Sequence, residues 1–151
     1  MRWPSLLLCF WVFSWVRADE PSKLGIFVST TCDHDTIGQT LSYKTKEAIR
    51  RSTTMRTVDT YAQGVFTLQI VCLTPDASAS GRVSNYSFSL TMMNTTAFYD
   101  YAIDSGVGVC GTDRVSTCAD GLVARIDENV SRVRAKFSDG TFYINQPPKK
   151  P

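Results

Sequence analysis

Leu24-Gly25-Ile26-Phe27-Val28-Ser29-Thr30-Thr31 is an apolar, β-branched run that stops at Cys32-Asp33-His34-Asp35, and a helical pattern follows it from Ile37 to Ser52. Branched and aromatic side chains pack well on a pleated, half-buried surface, so the first run reads as a strand. Asp33 and Asp35 are short acidic side chains of the kind that accept from the free backbone N–H groups at a helix start. Ile37, Leu41, Thr45, Ala48 and Ile49 then share one face at about 100° per residue, whereas Lys44, Lys46, Glu47, Arg50 and Arg51 share the other. A strand that feeds a one-sided helix dictates a sheet covered by helices.

The remaining chain extends this layer. Ser52 to Gln63 is polar and receives no element. Val65 to Leu73 places Phe66, Leu68, Ile70 and Cys72 on one side and ends before Pro75-Asp76. Asn85 to Met92 alternates throughout, with Tyr86, Phe88, Leu90 and Met92 facing inward and Asn, Ser and Thr facing water. Tyr99, Tyr101, Ile103, Val107 and Val109 keep period two through a further strand that finishes at Cys110-Gly111. Val115, Cys118, Leu122, Ile126, Val130 and Val133 recur at helical spacing, and Ser138-Asp139-Gly140 is a turn before a candidate edge strand, Thr141–Ile144. The expected fold is α+β, an α/β two-layer domain of order β-α-β-β-β-α. A mixed four-stranded sheet carries both helices on one face.

The first 18 residues have the form of an export signal. Arg2 is the basic start, Leu6 to Phe13 the apolar centre, and Val16-Arg17-Ala18 a small-residue cleavage site. The apolar stretch is too short for a transmembrane helix. Its removal takes away Arg2, Arg17, Cys9 and all three tryptophans, so the 16 Lys plus Arg of the whole chain fall to 14 against 14 Asp plus Glu. A neutral mature chain argues against nucleic acid as the partner. Residues 19–145 then form one domain large enough to bury roughly two thirds of its unfolded surface, and 146–151 is a Pro/Lys-rich tail with little to bury.

Cys32, Cys72, Cys110 and Cys118 survive cleavage, and an even number in an exported chain reads as two disulfides. Of the three pairings, Cys110–Cys118 with Cys32–Cys72 is favoured, because the first closes a short polar loop and the second joins two strand ends. On the chain-entropy account the short loop contributes about 2–3 kcal/mol and the long one about 4 kcal/mol. The spacings contain no C-x-x-C pair, so a zinc site is disfavoured.

Four constellations invite chemistry. Asp33-His34-Asp35 lies after the first strand, where open α/β sheets place ligands, and contains the single histidine of the chain. One reading has Asp33 or Asp35 capping the helix with His34 exposed; the alternative is a small hydrolase using His34 as base with Asp33 or Asp35 orienting it. Gly106-Val107-Gly108-Val109-Cys110-Gly111 matches G-x-G-x-x-G, but its glycines fall inside a strand late in the chain and no acidic strand end follows, so no cofactor is expected. Tyr43, Lys46, Arg50 and Arg51 make the outer face of the first helix basic, suited to an acidic protein or lipopolysaccharide. Asn85, Asn94 and Asn129 begin N-glycosylation sequons, which matter only in a eukaryotic host. No serine stands in a nucleophile motif.

The element order resembles the small α/β domains of bacterial envelope proteins, such as the N-terminal domain of TolB and the CsgG-like lipoproteins. There too a strand and long helix, here Leu24–Thr31 and Ile37–Ser52, precede a meander and a final helix. Asp35-Thr36-Ile37-Gly38-Gln39 and Val107-Gly108-Val109-Cys110-Gly111 are also similar in wording to a group of uncharacterised exported bacterial proteins. The resemblance implies an envelope setting and carries no catalytic residues. The lipoproteins bear an acylated cysteine directly after the leader, and Asp19 takes that place here. The expectation is therefore a periplasmic or extracellular, non-enzymatic domain without cofactor or metal. It would bind a protein or envelope component through its open sheet face or the edge at Thr141–Ile144, with the oligomeric state left open.

Overall fold

The structure, a computed structural model, describes residues 23–63, 65–73, 82–93 and 100–136. The leader, Asn94, the edge-strand candidate Thr141–Ile144 and the tail 146–151 lie outside them. Strand β1 (Leu24–Thr31) leads to helix α1 (Thr36–Arg51), as the opening stretch predicts. Asp35 is the N-cap, its Oδ1 accepting from Gly38 N at 2.9 Å. Arg50 and Arg51 fill the last turn, where positive charge favours the helix dipole.

The sheet has five strands, not four, in the order β2-β1-β3-β4-β5. The extra strand β2 (Met55–Val58) comes from the polar stretch after α1 and runs parallel to β1, with Leu24 opposite Met55 and Phe27 opposite Val58. Its four residues are too few to show a period, and its start is fixed by a turn in which Ser52 Oγ accepts from Thr54 N and Met55 N at 3.1 and 3.2 Å. Strand β3 (Phe66–Leu73) is parallel to β1, while β4 (Val83–Met93) and β5 (Asp100–Gly111) continue antiparallel. A short 3₁₀ turn, Thr112–Arg114, then enters helix α2 (Val115–Lys136).

Ile26, Phe66, Leu68, Ile70 and Leu90 from the sheet and Ile49, Ile126 and Val130 from the helices are almost fully buried in one core. Both helices thus cover the same face. On β4 the inward set is the one the alternation predicts, with Phe88, Leu90 and Met92 buried and Tyr86 packed against them. On β5 it is not. Register shifts between Leu90 and Thr91, where the partner changes from Asp104 to Ala102, and Val107 and Val109 consequently face solvent at 85% and 67% exposure. Their inward neighbours are Gly106 and Gly108, which stand opposite Phe88 and Tyr86. A Cβ at Gly106 would fall 2.8 Å from Phe88 Cε1 and one at Gly108 2.5 Å from Tyr86 Cζ, so these glycines make room for aromatic rings rather than for a phosphate.

Candidate functional site

The turn Asp33-His34-Asp35 separates its two carboxylates. Asp33 and His34 are exposed, and Asp35 turns inward to 5% exposure. There both Asp35 oxygens are engaged, Oδ1 by Gly38 N and Oδ2 by the hydroxyl of Ser84, a fully buried residue of β4. Ser84 was legible in principle: it holds an inward position of β4 yet is polar, and a buried hydroxyl demands a partner. Asp35 thus ties the start of α1 to the sheet, a structural role. Two disulfides sit at this end of the fold. Cys32–Cys72 joins the neighbouring ends of β1 and β3, and Cys110–Cys118 joins β5 to the first turn of α2. Among the described residues no three His, Cys, Asp or Glu side chains are grouped to hold a metal ion.

The basic face of α1 is largely engaged in local pairs. Tyr43 donates to Glu47 at 3.2 Å, and Lys44 bonds the same carboxylate at 3.1 Å and lies over the Tyr43 ring. The hydrogen bond from Lys44, against an opposing desolvation and with help from that of Tyr43, holds the Glu47 carboxyl below its ordinary value. Arg50 donates to Thr57, and Arg51 lies 3.6 Å from Asp120 on α2. Of the four residues singled out for this face, Lys46 is the one with no such pair among the described residues. An open cleft of about 500 Å³ lies between the end of α1 and α2, floored by Ala48, Met55 and Val123 and walled by Arg51, Asp120 and Asp127. Its lining includes the hydroxyls of Ser52 and Thr53, with no histidine beside them among the described residues, and Ser52 Oγ is engaged by Thr54 N and Met55 N. Asp127 there accepts from Thr54.

Asn129, one of the three sequon asparagines, has its Nδ2 committed to Asp104 Oδ2 at 2.8 Å and to the Arg125 carbonyl at 3.0 Å. Asp104 also receives Arg125 through bonds of 2.6 and 2.7 Å, and Arg125 continues to the Ser105 carbonyl and lies over the Phe88 ring. Those hydrogen bonds hold the Asp104 carboxyl below, and the Arg125 guanidinium above, their ordinary values. Asn85, in contrast, is exposed on the outer face of β4.

Apart from Asn85, the outer face of the sheet, the surface expected to bind a partner, contains none of the site residues named from the sequence. Opposite the helices, β1 presents Phe27, Ser29 and Thr31, and β3 presents Thr67, Gln69, Val71 and Leu73. Asn85, Ser87, Ser89 and Thr91 follow on β4, then Ser105, Val107 and Val109 on β5. None of these positions is charged, in a chain that is 20% Asp, Glu, Lys and Arg. Charge returns only at the margins, with Arg56 on β2 and Asp100 at the start of β5. Leu73 and Val109 flank Asn85 in one cross-strand row and Val71 and Val107 flank Ser87 in the next, so apolar surface gathers at one corner. The sequence carries this signal in the alternate residues of four separate strands, and it becomes visible only when their register is known.

No family model and no curated protein matches this chain. Solved structures match it at the level of the fold. A PelC dodecamer of Paraburkholderia phytofirmans is 12% identical, covering 73% of this chain and 87% of its own, with a TM-score of 0.42. A DUF330-family protein of Xanthomonas campestris is 9% identical over 82% of this chain and 90% of its own, with a TM-score of 0.43. A hypothetical protein of Chlamydia trachomatis is 9% identical over 76% of this chain and 97% of its own, with a TM-score of 0.40. At element level these include uncharacterised bacterial proteins; the finer likeness to TolB and CsgG-like domains is not among them. Among the described residues no helix is long and apolar enough to cross a membrane.

Proposed function

We propose that this chain is an exported, non-enzymatic binding domain whose docking surface is the open face of its sheet. One observation carries the reading: the middle of the solvent side of β1, β3, β4 and β5 bears no charge, Arg56 and Asp100 standing only at its margins, yet it exposes Leu73, Val107 and Val109 at 68%, 85% and 67%. Ordinary solvated surfaces of small domains are about 25–35% charged. Depletion of charge at the centre with charge at the rim is the composition of a protein interface. The export-type leader and the two disulfides support an oxidising compartment, periplasmic or extracellular. The partner is a protein or envelope component, and neither an anionic polymer nor nucleic acid has a cationic counterpart on this face.

Hydroxyl-radical footprinting tests the reading. Leu73, Val107 and Val109 are expected to label several-fold less in the cell that makes the protein than in the dilute, isolated chain. Equal labelling in both would sink it.

A further inference from the structure

We infer that the occupant of the open sheet face is a second copy of this chain, the two sheets packing back to back. The argument starts from what a two-fold axis demands. At an interface between identical copies, residues near the axis meet their own duplicates, so any charged group there would face its like. Ser29, Gln69, Ser89 and Ser105 cross the middle of the face in one row, and Thr67 and Thr91 stand opposite each other in the next. Hydroxyls and carboxamides are donor and acceptor at once, so such a row can bond to its own copy without a complementary partner sequence. Off the axis a residue meets a different residue and may be charged; rows that cross the axis must be neutral, and these two central rows are.

The area also suffices. Four strands at about 4.8 Å spacing and about eight residues at 3.3 Å rise span on the order of 500 Å² per copy, which brings the pair to the roughly 1,000 Å² that a specific interface needs. Sheets stacked about 10 Å apart bring Val107, Val109 and Leu73 out of water together with the small hydroxyl side chains. Both helical layers stay outside, so the Arg51–Asp120 and Arg125–Asp104 pairs are not disturbed.

The full mature chain in sedimentation equilibrium tests this, with Ser89→Lys as the variant. Ser89 is half-buried on the outward side of the sheet, at the centre of its row between Gln69 and Ser105, so the variant is expected to keep its disulfides and melting behaviour. The wild type is expected to dimerise, and the variant, which would bury an unpaired charge, to weaken the dimer by at least about tenfold. A dimer that Ser89→Lys leaves unchanged overturns the inference, because the copies then meet elsewhere. The inference rests on the open face being a docking surface, and the two fail differently. A chain that stays monomeric into the millimolar range while its face is shielded in the cell overturns the second copy alone; a face open to radicals in both settings overturns both.

Discussion

Gly38 lies directly against the Cys32–Cys72 bridge: a Cβ at position 38 would fall 2.5 Å from both Cβ and Sγ of Cys72. Helix propensity alone recommends alanine here, by about 1 kcal/mol. Packing overrules it, since a disulfide joining two central strands has no flexible end to move aside. Gly38→Ala is expected to destabilise the domain by about 1–3 kcal/mol in urea unfolding with the disulfides intact. A gain in stability would show that α1 can shift away from the bridge.

Gly121 provides the opposite case. It lies inside α2, and a Cβ there would meet nothing within 4 Å. Only the backbone term remains. Gly121→Ala is expected to stabilise by about 0.5–1 kcal/mol, read as a higher urea midpoint at unchanged slope.

These two glycines show how far the sequence could be read. Local signals are sufficient where a whole period fits inside one element: Leu24–Thr31 emerges as a strand, and the face of α1 and the inward residues of β4 emerge with their sides correct. They fail where tertiary context decides. Met55–Val58 is a strand because β1 offers it a parallel edge and Ser52 sets its start, neither of which is visible in four residues. Val107 and Val109 mark a strand correctly, but the side on which they stand is decided by the register shift at Leu90/Thr91 and by the rings of Phe88 and Tyr86, which reserve the inner side for glycine. The candidate site followed the same rule. Asp33-His34-Asp35 draws attention by density, whereas the uncharged face is spread over residues 27 to 109 and is assembled only by strand pairing.

Asp35 and Ser84 make a prediction about coupling. Ser84 is fully buried, and its hydroxyl bonds the carboxylate that also caps α1. Ser84→Ala leaves one Asp35 oxygen without its buried donor, at a cost of about 1–3 kcal/mol. Asp35→Ala removes the cap as well, adding about 1 kcal/mol. The double variant is expected to cost less than the two singles together, with a coupling of at least about 0.5 kcal/mol in a thermodynamic cycle. Strict additivity would mean that the two groups do not act as a unit.

Asp104 gives the fold a defined acid sensitivity. Its carboxylate accepts from Arg125 Nε and Nη2 at 2.6 and 2.7 Å, from Asn129 Nδ2 at 2.8 Å and from Ser105 N at 2.8 Å. The Arg125 hydrogen bonds are the largest cause of a folded-state pKa below the ordinary aspartate value, with desolvation opposing them. A carboxylate depressed in the folded state binds fewer protons there than in the unfolded chain. Its contribution is therefore fully present above the unfolded pKa of about 3.9, and is lost as pH falls through the lower folded value. Asp104→Asn, which keeps the shape but not the charge, is expected to melt below the wild type at pH 7 and to converge with it as the pH falls through the lowered folded value. A gap that stays constant across that range would assign the loss to packing against Arg125 and Phe88 instead of to the charge on Asp104.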